Sequence, residues 1–257
     1  MDTQQAPILE FDDSRASILM PDPFQLGVGI LVPARGVLCF FKDVIDNLVA
    51  EGSLKEIGHL RSEMGRHPVY RYGEGRESVT VLHPGVGAPL AAGFLEELIA
   101  VGVTKFIVCG GCGVLNREIE TGHPIVLTSA VRDEGTSYHY LPPSREVKPH
   151  AKAVNALEET CAEMGIDYLT AKTWTTDAYY RETPDKRKAR LAEGCTVVEM
   201  EAAAFFAVAQ FREVPLGEIV YAGDLVLPEG WDSRAWRHRG ADRKLMFDLA
   251  VKAVLKL

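Results

Sequence analysis

A chain of 257 residues, 47% apolar and 25% charged, can bury one large α/β core or two small ones. Its formal net charge of -8 excludes the basic face of a general nucleic-acid binder, so an anionic ligand would have to be met by local basic residues. The opening Met-Asp-Thr-Gln-Gln-Ala-Pro lacks the basic and apolar regions of a secretory leader, and no apolar run approaches a membrane span, so a cytoplasmic protein without membrane contact is expected.

Residues 1–26 carry Pro7, Asp12-Asp13, Pro21 and Pro23, which predicts an extended, turn-rich lead-in contributing little core. The short apolar run Gly27–Val32 reads as a strand, Pro33–Gly36 as a loop, and Val37–Ala50 as a helix by the spacing of its apolar residues. That loop holds Arg35, an anion contact if it faces a ligand and otherwise a solvated surface arginine. Val69–Tyr72 and Ser78–His83, separated by Gly73-Glu-Gly75, predict a hairpin. His83-Pro-Gly-Val-Gly87 then leads into a helix from about Leu90 to Val101.

Lys105–Cys109 is the next strand, and Gly110-Gly-Cys-Gly113 reads as its terminal turn. Three glycines in four residues at a strand end can form a cradle of backbone N–H groups for phosphate or a carboxylate. It is neither a Walker loop nor G-x-G-x-x-G. Cys109-Gly-Gly-Cys112 is formally C-x-x-C, but no second pair completes a zinc site and no redox helix follows it. The five cysteines, an odd number, do not suggest a disulfide framework, and no metal is expected.

Pro124–Val131 predicts a strand, followed by a loop rich in functional groups over Arg132–Pro143. A helix over about Lys148–Met164, a strand over Tyr168–Thr175, the polar loop Thr176–Thr183 and a polar helix to Glu193 come next. Gly217–Asp224 reads as a strand ending at an acid, and Arg243–Leu257 as an amphipathic closing helix.

Thr196–Ala209 is apolar throughout except for Glu199 and Glu201, which fall where a buried strand gives way to an alanine-rich helix. Unpaired buried carboxylates are costly, so these acids should meet hydroxyls, an arginine or a ligand. The alternative is a charge in the first helical turn at Glu201, with Glu199 paired to a nearby base. Alternating strands and helices give an α/β fold with one central mixed sheet, in a single domain over 1–257. Parallel strands would bring Gly110–Gly113, Tyr179, Glu199–Glu201 and Asp224 to one edge as a pocket.

Three motifs in this order, Arg132-Asp-Glu-Gly-Thr-Ser-Tyr-His-Tyr-Leu-Pro-Pro143, Thr176-Asp-Ala-Tyr179 and Val198-Glu-Met-Glu-Ala202, resemble the nucleoside phosphorylase-I family. The family holds purine nucleoside phosphorylases, uridine phosphorylases and nucleosidases, and the resemblance runs from about residue 78 to the C-terminus. It implies a three-layer α/β/α fold with a partly barrel-like sheet, and an enzyme that cleaves the N-glycosidic bond of a purine or pyrimidine nucleoside. By it, Glu201 holds the ribose hydroxyls, Met200 packs against the sugar and Glu199 stands at the pocket wall. Tyr179 stacks on the base, or else packs in the core, and Asp224 protonates the leaving base. It also implies no cofactor, inorganic phosphate as co-substrate, and a homo-oligomer, hexamer or dimer. The phosphate half departs from the pattern: the run Val108–Gly113 lacks the family's arginine and hydroxyl, leaving Gly110, Gly111, Arg35 and, lent by a neighbouring subunit, Arg66 as candidate phosphate contacts. Hydrolysis with water, or nucleoside binding without catalysis, are the alternatives this departure opens.

Overall fold

A computed structural model describes residues 6–27 and 30–257. The elements in chain order are β1 (Arg35–Cys39), α1 (Lys42–Ala50), β2 (Leu54–Ser62), β3 (Gly65–Tyr72), β4 (Val79–Leu82), α2 (Ala88–Ala100), β5 (Lys105–Val114) and β6 (Pro124–Asp133). They continue with β7 (Glu146–Val147), α3 (Ala151–Glu163), β8 (Leu169–Thr176), α4 (Pro184–Ala192), β9 (Cys195–Glu199), α5 (Ala202–Phe211), β10 (Leu216–Leu227), β11 (Gly230–Asp232) and α6 (Gly240–Leu255).

The sheet runs β11-β10-β6-β8-β9-β5-β1-β4-β3-β2, with β7 on β6 and a further pairing of β10 to β5. That last pairing closes β10, β6, β8, β9 and β5 into a five-stranded barrel. β5 belongs to both the barrel and the flat extension, and its length explains why: ten residues leave room for β1 along Lys105–Cys109 and for β9 beyond it, at Gly113 and Val114. Pairing is mixed, parallel for β1–β5, β10–β5, β6–β8 and β8–β9, antiparallel for β5–β9 and β10–β6. The mixed, partly barrel-like α/β/α architecture expected from the resemblance is therefore the one observed.

Helices pack on both faces. One core joins α2 and α5 to the sheet through Leu95, Phe205, Phe206, Phe106 and Val220, and the other joins α1, α3 and α6 through Ile45, Leu157, Phe247 and Ile219. Ala202–Ala209 are all buried, as a helix apolar on every side must be. Small side chains at four of its first six positions let α5 lie close to β-sheet and α2 at once.

Four readings are corrected. The first strand is Arg35–Cys39 and not Gly27–Val32, of which Val28 and Gly29 lie outside the described residues; Ile30–Val32 carry no strand pairing. Alternating contact with both cores selects Val37–Cys39 for the sheet, and the helix starts only at Lys42. β2 went unread because its polar sequence pairs along one edge with β3 alone. Gly110–Gly113 is not a terminal turn: β5 runs through it to Val114, with Gly110 and Gly111 opposite Val220 and Tyr221 of β10. Finally, β10 does not end at Asp224. It bulges between Ala222 and Leu225 and continues into a hairpin with β11. In the described part of the N-terminal segment Pro7–Leu9 form a 3-10 turn, Ile18 and Leu19 stand in solvent, and Leu26 is buried in the core. No helix among the described residues is long and apolar enough to cross a membrane.

Candidate active site

The strand-to-helix junction between β9 and α5 divides two neighbouring acids between two tasks. Glu199, at the end of β9, turns its carboxylate back under the helix: Oε2 accepts from the amides of Glu201 and Ala202, both at 2.6 Å. Oε1 accepts from Thr175 Oγ1 at 2.6 Å and Thr173 Oγ1 at 3.1 Å. Those threonines stand on the neighbouring parallel strand, where Thr175 is opposite Glu199. Thr175 Oγ1 in turn accepts from the amide of Ala203 at 3.0 Å. Glu199 thus caps the N-terminus of α5, and among the described residues no base pairs with it. The capping task weighed for Glu201 falls to Glu199 instead.

Glu201 points the other way. Its Oε1 accepts from the amide of Gly87, at 2.5 Å, in the loop between β4 and α2. Gly87 has φ +95°, a conformation that glycine adopts without strain. The sequence therefore places a glycine where the loop must aim an amide at the carboxylate. Both glutamates are buried, at 8% and 7% exposure. Burial, followed by the charge of Glu199, pushes Glu201 up to about 8. Burial also raises Glu199, against the pull of its donors. With four donors on Glu199 and the Gly87 amide on Glu201, the proton shared by this pair belongs on Glu201. Met200 lies between them, half-buried.

Asp224, on β10, lies on the other side of β5 from the end of β9. A Cβ on Gly113 would lie 3.4 Å from Asp224 Oδ2 and 3.0 Å from Val198 Cγ1, so the absent side chain lets β9 and β10 close over β5. The indole N–H of Trp231, on β11, donates to Asp224 Oδ2 at 2.6 Å. Tyr179 follows β8 in a single 3-10 turn, Tyr179–Arg181, and is 53% exposed, its ring centroid 4.2 Å from that of Tyr180. The ring is at the surface and outside the core, free of the packing role weighed for it.

The loop 132–143 supports the site through Arg132. Its guanidinium donates to Ser137 Oγ and Ser144 Oγ and to the carbonyls of Leu141 and Pro142, and lies over the Tyr138 ring. Glu134 accepts from the amide and hydroxyl of Ser137, and Asp177 accepts from the amide of Gly135 at 2.8 Å. The loop is thereby fastened to the end of β8, with Ser137 fully buried beside α5.

Within one chain, Arg35 and Arg66 lie apart from Gly110 and Gly111. Gly110 is covered by the Phe40 ring, whose Cδ2 would be 3.1 Å from a Cβ there. Phe40 meets Phe205 and His83 edge-on. His83 Nδ1 accepts from the amide of Gly85 at 3.1 Å, which leaves the proton on Nε2 to be donated to the Phe40 carbonyl, also at 3.1 Å. Arg35 opens β1 opposite Lys105, at the far end of the strands from Phe40, and donates to the carbonyl of Arg76. Arg66 is on the β2–β3 hairpin and pairs with Glu56 at 3.0 Å.

Three groups near the site had no signal in the sequence. Phe40 reads as an ordinary apolar residue. Glu218 is one acid in a strand, yet it is 2% exposed and its pKa is raised well above the ordinary value by burial and then by the charges of Glu199 and Glu201. Glu182 belongs to a polar loop, yet burial and then the charge of Asp224 push it up to about 7. Among the described residues no group of three or more His, Cys, Asp or Glu could hold a metal.

A closed barrel extended by a flat sheet, with a buried glutamate at the β9–α5 junction, is the arrangement of a known class. The sequence profile of the phosphorylase superfamily matches residues 34–256, and the chain belongs to that superfamily. Among curated relatives, it is 32% identical over 165 residues to guanosine phosphorylase of Halorubrum lacusprofundi, covering 64% of this chain and 65% of that one. It is 30% identical over 175 residues to uridine phosphorylase of Thermococcus kodakarensis, covering 60% and 62%. The chain thus spans less than two-thirds of the length of either. Among solved structures, purine nucleoside phosphorylase of Toxoplasma gondii superposes with a TM-score of 0.74 at 21% identity, covering 94% of this chain and 95% of that one. AMP nucleosidase of Bacteroides thetaiotaomicron gives 0.70 at 22% identity, covering 87% of each. At these identities the two structures speak for the fold.

Proposed function

We propose that this protein cleaves the N-glycosidic bond of a nucleoside, passing the sugar to phosphate as the names of its curated relatives suggest. The observation that carries the reading is the Glu201 carboxyl, buried, held by the Gly87 amide and retaining acceptor capacity for sugar hydroxyls. A carboxylate there also stabilises positive charge that develops on the sugar as the bond lengthens. In this reading Met200 packs against the sugar and Tyr179 against the base. Asp224, across β5 from the junction, delivers a proton to the leaving base, which favours a purine protonated at N7. The reaction calls on no cofactor.

A second reading, hydrolysis, is favoured by Phe40. Its ring lies on Gly110, where the resemblance puts the anion, and Arg35 of the same chain is turned to the carbonyl of Arg76. Without charge-assisted contacts, each contributing about 1.5–3 kcal/mol, phosphate loses most of its hold. Water needs none of them.

The test is base release from purine and pyrimidine nucleosides with and without phosphate, with the sugar product identified. Ribose 1-phosphate supports phosphorolysis. Free ribose at a phosphate-independent rate supports hydrolysis and rejects phosphorolysis. Nucleoside binding without release of base would reject both and leave a binding protein. A homo-oligomer in the cytoplasm fits a small-molecule enzyme of this kind, and light scattering tests the assembly.

A further inference from the structure

The residue at the N-terminal boundary of α5 does not cap it. Glu201 stands there with φ -136° and ψ -25°, outside the helical region, and its side chain makes no capping hydrogen bond. In an ordinary helix the boundary side chain turns inward and accepts from the second or third helical amide. Here Glu199 takes the amides of Glu201 and Ala202, and Thr175 Oγ1 takes that of Ala203, the second helical residue. Three successive donors are satisfied from β8 and β9.

Thr175 joins the two parts of this cap. An amide can only donate, so Thr175 Oγ1 accepts from Ala203 at 3.0 Å and gives its own proton to Glu199 Oε1 at 2.6 Å. Its meeting with Glu199 depends on strand register. β8 and β9 start with Lys172 opposite Cys195, and the register then shifts so that Thr173, Trp174 and Thr175 face Val197, Val198 and Glu199. Without that one-residue bulge Thr175 would face Val198, whose side chain points to the other side of the sheet from Glu199. The irregularity therefore aims a hydroxyl at the acid. Thr175 is fully buried, out of reach of a ligand.

We propose that Thr175 is a positioning residue for Glu201: with Glu199 it takes over the capping of α5, which leaves the Glu201 carboxyl directed at Gly87 and open to sugar hydroxyls. The inference rests on the nucleoside-cleaving reading above. Removing the Thr175 hydroxyl orphans the amide of Ala203, the donor that a boundary side chain ordinarily accepts. Glu201 is that boundary residue. Turning its carboxyl inward to answer the orphan takes it away from the Gly87 amide, from which it accepts at 2.5 Å.

Because Thr175 acts through Glu201, the test uses readouts that a loss of stability alone does not move. The first is hydrogen exchange of the Gly87 amide in the protein without ligand. Thr175→Val keeps the shape and removes the hydroxyl, and should speed that exchange about tenfold, the weight of one hydrogen bond to a carboxyl. Amides in the β1–β5 ladder, measured in the same sample, should keep their protection. The second readout is calorimetric affinity for a purine ribonucleoside against its 2′,3′-dideoxy counterpart, which lacks both hydroxyls. The wild type should prefer the ribonucleoside, and that preference should shrink about tenfold in Thr175→Val and return in Thr175→Ser. Thr175→Cys, which retains a weak donor, moves both readouts in the same direction by less and serves if Thr175→Val does not fold. Where the wild type prefers the ribonucleoside, either readout unchanged in the folded variant would overturn the inference. A wild type that binds neither nucleoside, or both equally, overturns the functional reading instead, and Gly87 exchange still decides whether Thr175 positions Glu201.

Discussion

The amide of Gly87 donates to Glu201 Oε1 at 2.5 Å across 114 residues of chain, joining the loop before α2 to the first turn of α5. Because Gly87 sits at φ +95° with open space where a Cβ would go, Gly87→Ala meets no clash and costs backbone strain alone. Destabilisation of about 1–2 kcal/mol is expected. The amide moves away from Glu201, so KM for nucleoside should rise more than kcat falls. Urea unfolding and steady-state kinetics on one preparation separate the two effects.

Glu201 makes stability depend on pH. Its folded value of about 8 lies above the ordinary 4.5, so between these limits the unfolded chain has lost a proton that the folded protein retains. Its contribution is complete below about 4.5 and declines as pH rises to about 8, at about 1.4 kcal/mol per pH unit. Glu201→Gln keeps an acceptor for Gly87 and removes the titration. Its unfolding free energy should therefore fall less steeply over this range than that of the wild type, by about one proton. Equal slopes for the two proteins would show that Glu201 is ionised in the empty site.

Binding should release that proton. Two sugar hydroxyls donating to Glu201 favour its charged form, so nucleoside binding at neutral pH should expel close to one proton. Calorimetry in buffers of different ionisation enthalpy measures the number directly. The release should vanish in Glu201→Gln; a zero result in the wild type would mean that sugar hydroxyls do not land on this carboxyl.

Gly110 and Phe40 are expected to be coupled. A methyl group at Gly110 would meet the Phe40 ring at 3.1 Å, and that ring is pinned by His83 on its own carbonyl and by Phe205 at its edge. Gly110→Ala should cost about 1–3 kcal/mol. In a Phe40→Ala background it should cost much less, a coupling that a double-mutant cycle isolates. Additive costs would place the Phe40 ring elsewhere in solution.

How much was legible in the sequence depends on the range of the physics involved. The junction at Glu199 and Glu201 could be read because two acids in an apolar run contradict local burial, and that contradiction is visible within a few residues. The helices and most barrel strands announced themselves through apolar periodicity. Gly27–Val32 and Val37–Cys39 are both short apolar runs, and only partnership with β4 and β5 on both sides puts the first strand in the second of them. The glycines of β5 read as a turn for the same reason. Nothing local says that β10 and β9 will approach closely enough to require them.

What the sequence determined by itself is the alternation of strands and helices, the anomaly of two carboxylates at a strand-to-helix junction, and the loss of basic residues around Gly110–Gly113. Tertiary structure alone decided which of those carboxylates does what. Glu199 caps α5 because Thr173, Thr175 and two helix amides converge on it, and Glu201 is left facing Gly87 with its remaining acceptor capacity unused. The physical reason is that a carboxylate's role is set by the donors around it, and here those donors come from strands and loops far apart in the chain.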